Sequence, residues 1–316
     1  MQETDQDTRD QPLASVLLAT HNGERWLPEL LNSLLAQDYP ALQWVIRDDA
    51  SSDATPELLA AFRQRAGERV TLLENPGNQP EGALANFAGL VDHALTRSTA
   101  EVFLFCDQDD IWHQDKVSRL LAALPRDTDI PALVFSDMRV VDACGAPLAD
   151  SFLDYQHLSP AAQLPRLLVQ NHVSGCASLV NRATLELAWP LPPAAAMHDW
   201  WLALLCAAAG RLEHCPEALV DYRQHADNAV GAEGFNLRYL WRRARGSRGT
   251  RLAQLYAQAE ALRERLQERG HGCPPALASF IATRELTRTR RLYALWSGGH
   301  TRSGLVRNLP LWLETE

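Results

Sequence analysis

Phe103-Leu104-Phe105-Cys106-Asp107-Gln108-Asp109-Asp110-Ile111-Trp112 decides the reading of this chain: an apolar run with the character of a buried strand ends in three carboxylates within four positions. Clustered carboxylates repel one another and resist desolvation, so a buried strand that ends this way needs a reason. A hard divalent cation relieves the repulsion, and a cation placed there can also hold a diphosphate. The plain alternative is a solvated acidic turn that caps the helix beginning near Gln114.

The preceding hundred residues repeat one pattern. Ala14–Thr20 is a short apolar run that fits an interior parallel strand, and His21-Asn22-Gly23 ends it. Leu27, Leu30, Leu31, Leu34 and Leu35 then fall on one face of a helix. Pro28 lies in its first turn, where a missing N–H costs nothing. A second strand, Leu42–Ile46, stops at Asp48-Asp49-Ala50-Ser51-Ser52-Asp53, and a helix follows to Ala66. Val70–Leu73 is a third strand, the stretch 75–80 is turn-rich, and a helix over 82–95 leads into the central strand Val102–Cys106. Strands alternating with helices predict a mostly parallel α/β sheet covered on both faces. Ligands bind such sheets beyond the carboxyl ends of the strands, where both Asp-rich turns fall. Asp53 is explained by helix capping; the doublet Asp48-Asp49 is not. A carboxylate of the doublet, Asp49 by preference, can accept the N3–H of a pyrimidine.

Downstream, Val117, Leu120, Leu121 and Leu124 predict an amphipathic helix, and 132–137 and 138–142 predict strands with a hairpin turn at 142–147. Residues 151–171 read as irregular and then helical. A strand follows Asn171-His172-Val173-Ser174-Gly175-Cys176 and ends near Val180; Gly175 permits a close backbone approach, or simply marks a strand entrance. Met197-His198-Asp199-Trp200-Trp201 opens an apolar helix, with Asp199 in the first turn, where the helix dipole favours an ionised carboxylate. Ala218–Arg223 is a further strand.

With 316 residues and 46% hydrophobic content the chain can bury a full core. No apolar run is long enough to cross a bilayer, and the polar stretch 1–11, read as disordered, has no signal-peptide form; the expected compartment is the cytoplasm. Six cysteines without a C-x-x-C pair read as reduced thiols. The net charge of −9 is uneven: residues 236–316 hold 15 Arg and 6 Glu, or +9, leaving −18 on the rest. An acidic body suits metal cations, and a basic tail suits an anionic surface. Lys116 is the single lysine of the chain.

Ala19-Thr20-His21-Asn22-Gly23, Asp48-Asp49-Ala50-Ser51-Ser52-Asp53 and Asp107-Gln108-Asp109-Asp110, in that order, resemble family 2 glycosyltransferases of the GT-A fold. Asp-Gln-Asp-Asp-Ile-Trp is most similar to the bacterial rhamnosyltransferase-like branch, which builds cell-surface polysaccharides and O-antigens. The resemblance spans roughly residues 14–231. It implies an inverting transfer from a nucleoside-diphosphate sugar, thymidine- or uridine-linked, to a saccharide or lipid-linked acceptor. It implies manganese or magnesium at Asp109 and Asp107, with His225 of Tyr222-Arg223-Gln224-His225 facing the metal or diphosphate. Donor contacts are expected from Thr20, His21, Asn22, Glu24, Asp48, Asp49, Asp107, Gln108 and Arg223. Acceptor contacts are expected from Gly175, Trp200 and Trp201, of which one tryptophan packs in the core, and Asp199 is the expected base. His21 departs from the commoner Tyr or Phe at its position.

Three regions follow: 1–11, a GT-A catalytic domain over 12–234, and a basic helical region over 235–316 with helices at 252–268 and 275–296. The basic region either packs on the body as an accessory domain or also attaches peripherally to anionic lipid at the inner face of the cell membrane. Nucleic acid is disfavoured, because the acidic body repels a phosphate backbone. Two rival functions remain at this level. One is a metal-dependent nucleotidyltransferase or nuclease, which needs a Gly-rich phosphate loop near the first strand. The other is a non-catalytic sugar- or membrane-binding module on the same scaffold.

Overall fold

A computed structural model describes residues 11–75, 77, 79–225, 250–304, 307, 308 and 311. The elements run β1 (Ala14–Thr20), α1 (Leu27–Leu35), β2 (Leu42–Asp48), α2 (Thr55–Ala66), β3 (Val70–Leu73), α3 (Ala83–Arg97), β4 (Val102–Cys106), β5 (Ile111–Trp112) and α4 (Lys116–Ala123). They continue with β6 (Ala132–Val141), β7 (Pro147–Ala149), α5 (Phe152–Tyr155), α6 (Leu164–Leu167), β8 (Ser178–Asn181), α7 (Arg182–Ala188), α8 (His198–Ala209) and β9 (Arg211–Arg223). Three helices close the described chain: α9 (Thr250–Glu268), α10 (Pro275–Ala282) and α11 (Arg288–Ser297). The expected N-terminal tail lies outside the described residues but for its last one, Gln11, as does the stretch 226–249.

The strands form one curled sheet in the order β3-β2-β1-β4-β8-β6-β9-β5, with β7 on β6. Its first half is parallel, as the alternating pattern predicts, whereas β8 runs antiparallel to both β4 and β6. Both faces of the sheet's centre are covered, which is why β1 and β4 are apolar and buried almost throughout. Along β4, Phe103 and Phe105 point into one core, with α3, α8 and Leu133 and Phe135 of β6. Val102, Leu104 and Cys106 point into the other, with α1, α2 and Trp44.

Two expectations are corrected. The run 132–142 is one strand, because β9 pairs along its whole length, with register shifts near Asp137 absorbing the irregularity. The helix expected over 275–296 breaks into α10, a 3-10 turn (Thr283–Glu285) and α11. The break has a local cause: the Thr283 hydroxyl is held by Phe280 O and Tyr256, and Arg291 bonds the carbonyls of Thr283, Arg284 and Leu286. Leu252, Leu255, Tyr256, Ala259, Leu262 and Leu266 of α9 join the core that holds Trp201. The basic region thus shares a core with the body.

Candidate active site

Strand register places the chemistry. Thr20 pairs with Asp48 and Leu18 with Cys106, so β1, β2 and β4 end along one edge. β8 pairs Leu179 with Leu104, so the antiparallel strand enters from that same edge and brings Gly175 and Cys176 beside Asp107. β5 pairs Ile111 with Asp221, which carries the acidic turn to the end of β9, beside Arg223 and His225.

The loop after β1 forms a closed wall. The His21 N–H donates to Gln108 Oε1 (2.7 Å), Asn22 N–H to Ser51 Oγ (2.8 Å), Gly23 N–H to Thr55 Oγ1 (2.8 Å) and Glu24 N–H to Asp53 Oδ2 (3.0 Å). Gln108 returns a bond from Nε2 to His21 O (2.9 Å). A Cβ on Gly23 would come within 2.5 Å of Gln108 Oε1, so glycine is what lets the two turns close. Glu24 accepts the Ala54 N–H (2.9 Å), and Asn22, at φ 49°, accepts from Ser52.

The Asp48-Asp49 doublet divides its work. Asp48 accepts from Thr20 Oγ1 (2.7 Å) and Ser51 Oγ (2.6 Å) and holds the turn. Asp49, 3% exposed, accepts from Glu81 N–H (2.9 Å), Gly82 N–H (2.8 Å) and Asn75 Nδ2 (3.1 Å). These donors fill most of the roughly four acceptor sites of a carboxylate. Asp49 thereby fixes the segment that starts α3.

Within the acidic turn, Asp109 Oδ2 lies 2.9 Å from His225 Nε2, and the imidazole stacks on Trp26 at 4.7 Å. Arg223 reaches the backbone of Asp109. It is 2% exposed, donates to Asp109 O (3.0 Å) and Ala143 O (3.2 Å), pairs with Glu29 and covers the Trp26 ring. Burial pushes the Asp107 carboxyl up to about 7, and the negative charges of Asp109 and Asp199 add to the shift. Burial, then Asp109 and Asp107, holds Asp110 well above the usual carboxylate range. Beneath them sits Lys116, 0% exposed, with Nζ 2.5 Å from Cys176 O and 3.2 Å above the Trp112 ring centre. Burial brings its ammonium down to about 8, so it remains charged at neutral pH.

Asp199 faces this cluster from the first turn of α8. Its Oδ2 accepts the Gly175 N–H (3.0 Å), and its Oδ1 accepts Asn171 Nδ2 (3.3 Å) and the Trp200 N–H (2.5 Å). Burial raises its carboxyl to about 6, and the Gly175 and Trp200 amides oppose the rise. His198 lies under Gly175, tilted against Phe87 (4.0 Å) and Phe105 (4.7 Å). Trp200 is partly exposed and donates to Leu167 O (2.7 Å). Trp201 is fully buried, donates to Ala188 O (3.2 Å) and turns no ring face outward, so it is the core member of the pair.

A divalent cation fits these residues. Asp110 Oδ2 is buried with no hydrogen-bond partner, and carboxylates crowd an edge that also carries an imidazole. Asp107, Asp110 and Cys176 have ligand atoms within 4.8 Å of one another. Of these three, burial keeps the Cys176 thiol protonated; the Asp109 carboxylate and the His225 imidazole, 2.9 Å apart, stand in the same turn region. Oxygen with one nitrogen suits manganese at least as well as magnesium.

The model of the family described as "Glycosyl transferase family 2" matches residues 15–141. An uncharacterized glycosyltransferase of Nostoc sp. is 24% identical over 221 residues, covering 68% of this chain and 65% of its own length. Over residues 15–141 the chain is thus similar to the family 2 glycosyltransferases. The matched part spans less than two thirds of that curated relative. Staphylococcus aureus TarS 1-349, solved with UDP-GlcNAc, superposes on this chain with TM-score 0.57 at 19% identity, covering 90% of this chain and 72% of TarS 1-349. The mannosyltransferase PcManGT of Pyrobaculum calidifontis, solved with GDP-Man and Mn2+, gives TM-score 0.54 at 20% identity, with coverage of 92% and 73%. At such identities these likenesses establish the GT-A fold, with its curled sheet and flanking helices.

Sequence reasoning passed over several residues of the site. Asn171 carries no sequence signal that points to Asp199, and Trp26 and Glu29 sit on a helix start with no periodic signal of their own. Lys116 did carry a signal, as a lone lysine six positions after Asp110.

Proposed function

We propose that this chain transfers a sugar from a nucleoside-diphosphate donor to a hydroxyl of a saccharide or lipid-linked acceptor, with inversion at the anomeric carbon. The observation that carries this reading is the place of Asp199: its Oδ2 accepts the N–H of Gly175, which the antiparallel strand β8 brings to the end of β4 where the acidic turn begins. Asp199 takes the proton of the acceptor hydroxyl while that oxygen attacks the anomeric carbon. The bond from that carbon to the phosphate oxygen breaks, and the nucleoside diphosphate leaves with the electron pair. A carboxyl raised to about 6 is a better-matched base near neutral pH than an ordinary one, and it is still ionised at pH 7. Gly175, Asn171 and the Trp200 amide hold it in place, so little rearrangement is needed as the proton moves. Asp107, Asp109 and His225 would hold a divalent cation, which when bound neutralises charge developing on the departing diphosphate.

The donor chemistry follows the relatives only in class. TarS was solved with UDP-GlcNAc and PcManGT with GDP-Man, so a nucleotide sugar is supported by both. A pyrimidine base and rhamnose rest on the motif resemblance. Assembly of cell-surface polysaccharide at the inner face of the membrane fits a lipid-linked acceptor. The nucleotidyltransferase rival loses support, because the four amides of 21–24 that would cradle a phosphate are bonded internally.

A thermal-shift panel of nucleotide sugars with manganese, followed by assay of nucleoside-diphosphate release, tests the reading. A stabilising donor that is slowly hydrolysed is the expected result. No shift and no release with any donor would remove both the activity and the binding claim, and binding without release would favour the non-catalytic module.

A further inference from the structure

We propose that the exposed face of α11 seats this chain on a bilayer containing anionic phospholipid. Three large hydrophobic side chains are exposed among the described residues: Leu148 at 52%, Tyr293 at 70% and Trp296 at 66%. Two of the three therefore sit on one helix, three residues apart, which places them on the same face. Arg290 precedes Tyr293 by three positions and is also exposed, so Arg290, Tyr293 and Trp296 make one outward stripe opposite the buried Leu295. Arg284, in the preceding 3-10 turn, and Arg288, the first residue of the helix, are also exposed. The stretch 283–297 holds four arginines against one acid, Glu285.

The charge arrangement calls for an external anion. The first turn of α11 contains no acidic residue, and its N-cap Thr287 makes no side-chain cap bond. Arginines therefore crowd the positive end of a helix dipole, where cations are disfavoured unless anions approach. Tryptophan and tyrosine favour the interface between headgroup and acyl chain, and arginine pairs there with lipid phosphate. An acidic protein partner would have to offer a fitted pocket for each ring as well as the charge; a bilayer interface takes both rings and arginines without one.

The placement also connects to the site. Just past α11, His300 Nδ1 lies 3.1 Å from Pro165 O, Arg302 Nε donates to Val169 O (2.9 Å) and the Ser303 N–H to Gln170 Oε1 (2.7 Å). The next residue, Asn171, donates to Asp199. The segment behind the docking helix thus packs on the stretch that leads to Asn171, the side chain that holds Asp199.

Vesicle flotation of the full chain tests this without turnover, so its outcome is separate from that of the sugar-transfer reading. Vesicles of equal parts phosphatidylcholine and phosphatidylglycerol should carry the protein up, vesicles of phosphatidylcholine alone should not, and added salt should release it. Replacing Arg288 and Arg290 by Gln should weaken partitioning about fivefold per arginine. Replacing Tyr293 and Trp296 by Ser should lower recovery several-fold, while Leu148→Ser should float like the parent. Equal recovery from both vesicle types, or flotation unchanged in both double variants, would overturn the proposal. So would a concentration-dependent dimer in light scattering that Trp296→Ser dissolves without any flotation, because the face would then cover a second copy of the chain.

Discussion

The backbone N–H of Gly175 donates to Asp199 Oδ2 over 3.0 Å, and a Cβ on that glycine would lie 2.8 Å from His198 Nε2. The glycine is thus pressed between the base and the buried ring beneath it. Gly175→Ala must move one of them. Misplacement by an ångström can cost about a hundredfold in rate, so kcat for transfer should fall by about that factor. KM for the donor should stay near its parent value, since the donor wall is untouched. Asp199→Asn is the harsher variant: transfer should drop by about a hundredfold to ten-thousandfold while calorimetry still detects donor binding. Retained turnover in Asp199→Asn would remove it as the base.

The pH profile follows from the same carboxyl. Burial raises it to about 6, and only the ionised form can take a proton. Below that value kcat/KM should fall about tenfold per pH unit, and above it the profile should level off. Asn171→Ala removes a donor that favours the charged form, so the limb should shift to higher pH. A profile that stays flat well below pH 6 would contradict the assignment.

The fold was legible to the extent that local pattern carries it. Leucines at helical spacing announced α1, and apolar runs closed by His21-Asn22-Gly23 after β1 and by aspartates after β2 and β4 announced those strands with nearly their observed bounds. The antiparallel insertion of β8 was not legible, because a short buried strand has the same composition in either direction. That one reversal brings Gly175 and Cys176 to the acidic turn. Side-chain tasks were harder still. Arg223 reads as a phosphate ligand by charge, and only the fold reveals its contacts with Asp109 O, Glu29 and Trp26. Asp49 reads as a base-binding carboxylate, and only the fold reveals the amides of Glu81 and Gly82 that bond it.

Asp109 and His225 converge within 2.9 Å although 116 positions separate them. If both hold the cation, each single replacement should weaken metal-dependent donor binding and leave metal-independent binding alone. Asp109→Ala should cost more than His225→Ala, because it removes charge as well as a ligand. Losses of about tenfold to a hundredfold are the scale to look for in titration calorimetry with and without manganese. Identical donor affinity for His225→Ala and parent in manganese would exclude His225 from the ligand set.

Lys116 offers the last test, one of stability. It is fully buried, its neighbours include Asp107 and Asp110, and it holds Cys176 O while lying over Trp112. A buried cation among carboxylates offsets their repulsion, and removing one partner of such a set costs about 3–5 kcal/mol. Lys116→Met keeps most of the volume and deletes the charge, so urea unfolding in the presence of EDTA should show a loss of that order. Manganese supplies positive charge at the same acidic turn, and should restore more stability to the variant than it adds to the parent. Lys116→Arg should not rescue, because the larger guanidinium has no room between Trp112 and Cys176. A Lys116→Met chain as stable as the parent in EDTA would show that the carboxylates rely on their own protons and not on this lysine.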